Sequence, residues 1–147
     1  MSCNLTHDKE EIERNFRQVN NENLWKELKS MVNSDMLYRK PMGSSHRIEK
    51  APSKKIWDSL WNLQKKIDDQ NTERLLETTK KYGFPNPTRT GKPYSVWMIF
   101  QHADSKYKDD ILPILERELK ANRIESTEYT MIKWNLSDRK TMPFKIK

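Results

Sequence analysis

Apolar residues recur at helical spacing in four or five separate stretches of this chain, and no stretch sustains the period-two alternation of a half-buried strand. That pattern argues against a sheet-built core and predicts an all-α fold, an irregular single-domain helical bundle of about five helices. The clearest stripe is Leu24, Trp25, Leu28, Met31, Val32 and Met36, which lie on one face of an amphipathic helix. Upstream, Thr6 can cap a helix that carries Asp8, Glu10 and Glu11 in its electropositive first turn and Ile12, Phe16 and Val19 behind them. The polar stretch Asn20–Asn23 breaks that helix from the next. Residues 1–23 therefore read as an N-terminal helical arm and 24–147 as the single helical domain.

Pro41, Gly43, Ser44 and Ser45 open a surface loop that lasts to about Ser53. Ile56, Trp57, Leu60, Trp61, Leu63 and Ile67 then form a second face, continued by Leu75 and Leu76. One helix over 54–82 and two helices joined near Asp68–Thr72 both fit this pattern. Lys80, Lys81 and Gly83 supply a stop signal. The Pro- and Gly-rich segment 83–93 reads as a stiffened loop, neither helix nor strand. Tyr94–Ala103 reads as a buried helix with Pro93 in its first turn. Ile111–Leu119 reads as another helix, in whose first turn Pro113 must sit if it is not to kink it. Ser126 is placed to cap a last helix, and Phe144–Ile146 to form a short extended end. Trp57 and Trp61 are candidate core rings or, with Trp97, candidate walls of an open ligand pocket.

With 147 residues, five Trp, five Tyr, four Phe and seven Met, the chain can close one core. Its apolar runs fall well short of the roughly 18 residues that a membrane helix needs. A single cysteine, Cys3, allows no internal disulfide and no cysteine-based zinc site. Three Gly against seven Pro argue against a glycine-rich nucleotide cradle, so no cofactor is expected. The net charge of +7 would suit a phosphate-bearing partner. The excess is spread along the chain apart from basic clusters at 80–92 and 138–147, with which only Tyr82, Phe84 and Phe144 interleave, so nucleic-acid binding through such surface loops is the minor alternative. Nucleic acid is disfavoured, and the expected partner is an unknown small ligand or protein. No apolar leader precedes the chain's first polar residues, which points to the cytoplasm. Ser2-Cys3-Asn4 would also suit the start of a mature lipoprotein, lipid-anchored at Cys3, if a leader is missing from this sequence.

Function is best sought where polar residues interrupt the apolar stripes. Asp35 falls eleven residues after Leu24, on its stripe, with Arg39 four residues further on. Trp57, Trp61, Gln64, Asp68, Asn71 and Leu75 share another stripe, three of whose consecutive members are polar. Gln101-His102-Ala103-Asp104 closes the most apolar segment. An uncompensated buried charge costs several kcal/mol, so Asp35, Arg39, Asp68, Asn71, Gln101, His102 and Asp104 are expected to converge on one side of the bundle. They can form a sealed polar network, with Asp35–Arg39 an ordinary ion pair, or they can line a ligand pocket. In a catalytic pocket His102 is the candidate acid or base, oriented by a carboxylate. No His-x₃-His spacing is present and no metal is expected. No serine has the glycine context of a nucleophile elbow.

Three segments, Ile67-Asp68-Asp69-Gln70-Asn71, Lys81-Tyr82-Gly83-Phe84-Pro85 and Gln101-His102-Ala103-Asp104, resemble in order and spacing the bacterial domain-of-unknown-function family numbered 6624. The resemblance spans about residues 30–132 and includes Met31–Asp35 and Arg39 upstream. It implies the same segmentation of the fold and the same site map, and no particular activity. The chain departs from the family near its end. Lys133-Trp134-Asn135 stands where an Asp-Arg pair is expected, unless Asp138-Arg139 takes that role in a shifted register. Phe144-Lys145-Ile146-Lys147 replaces a Tyr-Gly-Thr-Gln type run. A pocket that those family residues complete would be altered here.

Overall fold

The protein is described by a computed structural model covering residues 5–42 and 53–137, with side chains from Lys9 onward. The helices are α1 (Leu5–Val19), α2 (Glu22–Asp35), α3 (Arg39–Met42), α4 (Lys54–Tyr82), α5 (Pro87–Thr90), α6 (Trp97–Gln101), α7 (Lys108–Lys120) and α8 (Ser126–Leu136). A 3-10 turn, Ser105–Tyr107, precedes α7. No strand occurs among the described residues, and the fold is all-α. No described helix is long and apolar enough to cross a membrane.

At about 43 Å by its helical rise, α4 is the spine, packing against α1, α2, α3, α6 and α7. It is a single continuous helix with no joint near Asp68. Ser53 starts it, its hydroxyl accepting from the Ile56 N–H, and Gly83 ends it at φ 78°, ψ 166°. Its inward face buries the polar Gln64, Asp68 and Asn71 through the middle turns and carries Leu75 and Leu76 directly after them. The apolar core is therefore assembled around the later turns. Phe84 stacks on Phe100 with ring centres 6.1 Å apart, and Leu28, Leu75, Ile111, Leu115 and Ile132 close around them.

The expected division at residue 23 is not a division of the core. Ile12 and Phe16, one turn apart on α1, are buried, and Phe16 joins the same cluster as Leu24 and Leu28. Asn20 and Asn21 only turn the chain between two helices. Asn21 is extended and its side chain accepts from the Asn23 and Leu24 N–H groups, which caps α2.

Several element ends differ from the sequence reading for identifiable reasons. The helix carrying Leu24 stops at Asp35, where the Met36 N–H bonds back to the Asn33 and Ser34 carbonyls, so Arg39 opens a separate turn. The loop 83–93 contains the helical turn α5, because Asn86 caps the Arg89 N–H, Pro87 presets the first turn and Gly91 ends it in the left-handed region. In Tyr94–Ala103 only Trp97–Gln101 is helical, starting well after Pro93, with Val96, Ile99 and Phe100 buried. Pro113 lies in the second turn of α7, not its first. Glu125 occupies the cap position of α8 and Ser126 is its first helical residue. The expected extended piece Phe144–Ile146 lies outside the described residues, as do Cys3, His46 and Asp138-Arg139.

A second set of buried charges ties the far end of α4 to its neighbours. Glu118 accepts from Arg123 Nε at 3.0 and 3.1 Å and from the Phe84 N–H. Arg89 donates to the Tyr82 and Phe84 carbonyls and to Glu13, and stacks on Phe16 at 3.8 Å. Loops 83–86 and 121–125, α1 and α7 are thus fastened at one point.

Candidate functional site

Helix α2 ends with its last inward-facing position, Asp35, at 4% exposure. The turn after it swings Arg39 back over α4, where the guanidinium meets Asp68. Arg39 Nη1 and Nη2 donate to Asp68 Oδ1 and Oδ2 at 2.8 and 2.5 Å. Nη1 also reaches the Asp35 carbonyl at 2.6 Å and its carboxylate at 3.4 Å. Gln64, one turn before Asp68 and fully buried, completes the arrangement. Its Nε2 donates to Asp68 Oδ1 and to the Ser34 carbonyl, and its Oε1 accepts from the Tyr38 N–H. Each buried polar group here has partners, which is the condition on which such burial is tolerated.

Helix α6 brings the fourth member of the cluster. His102, at the C-terminal end of α6, directs Nδ1 to both oxygens of Asp35, at 2.8 and 3.0 Å. With Nδ1–H donating, the neutral ring carries its lone pair on Nε2. That nitrogen has no hydrogen-bond partner among the described residues, and the side chain is 21% exposed. The ring borders an open pocket of about 630 Å³. Trp57, Trp61 and Trp97 line it, with Lys65, Asp69 and Asp104 among its charged residues and Met131 and Asn135 contributed by α8. Trp57 and Trp61, one turn apart, stack with ring centres 5.9 Å apart, and Arg39 lies 5.7 Å from the Trp61 ring. These two tryptophans are half-buried pocket walls and not core rings, the second of the two roles open to them in the sequence.

Asp35, Arg39, Asp68 and His102 thus form one hydrogen-bonded cluster. Gln101 and Asp104 line the same pocket outside it. Asp104 caps the 3-10 turn through the Lys106 N–H at 2.9 Å. Gln101 holds α8 through its carbonyl, which accepts from Asn135 Nδ2, while its Oε1 is buried with no hydrogen-bond partner among the described residues, as is Trp57 Nε1. Asn71 does not reach the pocket. It sits one turn beyond Asp68 and donates to the Met31 carbonyl and Ser34 Oγ, anchoring the end of α2. Gln64 was visible in the sequence as a stripe member, although its amide carried no charge to single it out. Trp97 was legible as a candidate pocket wall beside Trp57 and Trp61, whereas Asn135 had no comparable signal. No group of three or more metal-ligating side chains occurs among the described residues. Comparison with known protein families, characterised proteins and solved structures finds no match to this chain.

Proposed function

We propose that this protein is a small-ligand-binding module, and that its ligand enters the tryptophan-walled pocket and meets His102. The observation that carries this reading is the His102 ring itself. A buried carboxylate holds one of its nitrogens from behind, while the partly exposed ring borders a cavity of drug-like volume. A purely structural histidine is commonly satisfied at both nitrogens. The apolar tryptophan faces supply contact area, and His102 and Gln101 supply the few convergent polar atoms that fix orientation. Titrating the protein with small heteroaromatic and amine fragments tests the reading by ¹H–¹⁵N correlation spectra. Shifts concentrated at the Trp57 and Trp97 indole N–H groups, and abolished by His102→Ala, are expected. Shifts scattered over the surface, or unchanged in that variant, would defeat it.

The Asp35–His102 pair also supports a second reading, in which His102 is the general base of a hydrolase-like reaction. The carboxylate would fix the ring's tautomer and stabilise the imidazolium that forms on proton uptake. Neither Ser, Thr nor Cys is hydrogen-bonded to His102 among the described residues, so the base would act on water. Hydrolysis of 4-nitrophenyl acetate at equal rates by the native protein and His102→Ala would remove this alternative. Membership in the bacterial family numbered 6624 belongs to the same proposal, and Gln101-His102-Ala103-Asp104 and its spacing from Tyr82-Gly83-Phe84-Pro85 support it. So does a cytoplasmic location, for which fractionation of the native host is the test. Recovery with the membrane and labelling of Cys3 by a palmitate analogue would instead favour the lipid-anchored form.

A further inference from the structure

Although the chain carries +7 overall, the pocket has the opposite balance. Asp35 and Asp68 share the single guanidinium of Arg39. Asp69 is paired with Lys106 at 2.7 Å. Asp104 spends one oxygen on a backbone N–H, and the exposed Lys65 is the remaining cation of the wall. With His102 neutral, the four carboxylates of the site outnumber its three cations by one. Of the uncommitted hydrogen-bonding atoms, Gln101 Oε1 accepts, as does His102 Nε2 when Nδ1 carries the proton, while Trp57 Nε1 donates, so the preference for a cation rests on the charges and the ring faces. Trp57, Trp61 and Trp97 add electron-rich ring faces, and Trp61 already has the Arg39 guanidinium near it.

We propose that the pocket takes a small organic cation, an alkylated ammonium group seated against the tryptophans with its charge facing Asp69, Asp104 and His102. This rests on the ligand-binding reading and narrows it to one charge class. A carboxylate or phosphate ligand would instead have to approach a site that already holds surplus negative charge. An ammonium bearing a hydrogen would in addition donate to His102 Nε2, the acceptor that no described residue occupies.

Three isosteres separate charge from shape: choline, the neutral 3,3-dimethylbutan-1-ol and the anionic 3,3-dimethylbutanoate. Each is titrated against the full chain by tryptophan fluorescence and by calorimetry. Choline is expected to bind roughly tenfold more tightly than the alcohol, the scale of one cation–π contact, and the butanoate not to bind. Asp104→Asn preserves a capping side chain and removes one charge, so it should weaken choline several-fold. Lys65→Ala removes a competing cation from the exposed rim and should tighten it. Equal or tighter binding of the alcohol or the butanoate would overturn the proposal while leaving a ligand pocket in place. Indifference of choline affinity to both substitutions would also overturn it. Failure of all three probes, with fragment-induced shifts still seen at the tryptophans, would overturn the cation and spare the pocket.

Discussion

At the scale of single residues, the charged cluster separates groups that hold the molecule together from groups that border the pocket. Asp68 accepts three hydrogen bonds from buried donors at 5% exposure. Asp68→Ala leaves the Arg39 guanidinium, itself 3% exposed, with only Asp35 to balance it. Such a loss costs about 3–5 kcal/mol, and urea unfolding should show a destabilisation of that size. Trp61→Ala removes a larger side chain and should nonetheless cost less than the ~3–5 kcal/mol of a core ring, because the indole is only partly buried, on the pocket wall. If Trp61→Ala proved the more damaging of the two, the wall would have to be counted as core.

The helix ends show which local rules the tertiary structure enforces. Gly83 and Gly91 both terminate helices at positive φ, 78° and 73°. Their surroundings differ. A Cβ on Gly83 would lie 2.7 Å from Arg123 Nε and 2.9 Å from Arg89 Nη1, whereas nothing lies within 4 Å of one on Gly91. The Gly83 backbone, with ψ 166°, also occupies a region essentially confined to glycine. Gly91→Ala should cost about 1–2 kcal/mol for the left-handed backbone alone. Gly83→Ala should cost clearly more, because it also displaces the two arginines that pin Glu118 and Glu13. Thermal unfolding of the two variants side by side tests this, and equal losses would mean that the arginines yield without penalty.

Across the whole molecule, the Glu13–Arg89–Arg123–Glu118 contacts join α1 to the loops and to α7, so their protonation should be felt in global stability. Burial works to raise the Glu13 pKa, but Arg89 and then Arg123 outweigh it and hold the carboxyl below its ordinary value. A carboxyl with a lowered folded-state pKa stabilises the native chain above the usual glutamate range. That contribution disappears as pH falls through the lowered value. The thermal midpoint should therefore drop on acidification, and the drop should be shallower in Glu13→Gln, which has already lost the charge. The side chain is 34% exposed, so solvent screening keeps the difference small. An identical pH profile for the variant would show that the ion pairs to Glu13 contribute nothing.

What the sequence determined by itself was local: which segments are helical, where they begin and end to within a turn or so, and which positions face inward. Helical spacing is a short-range property, and it put Asp35, Gln64, Asp68 and Asn71 on buried faces before any neighbour was known. Even locally it misjudged the segments where competing signals met, such as Asn86-Pro87 and the helix ending at Asp35. Partnership was the business of the tertiary structure. The i,i+4 spacing pairs Asp35 with Arg39, and the structure keeps that ion pair at 3.4 Å, but the two-pronged contact of Arg39 is with Asp68, 29 residues away. Asp35 turns both carboxylate oxygens to His102, 67 residues away. Which of Trp57, Trp61 and Trp97 are core and which are wall was likewise undetermined, since a stripe specifies a direction and not what stands opposite. The pocket lies where the earlier turns of α4 meet α3 and the polar ends of α2 and α6 instead of apolar partners. Only the packing of helices distant in sequence decides that.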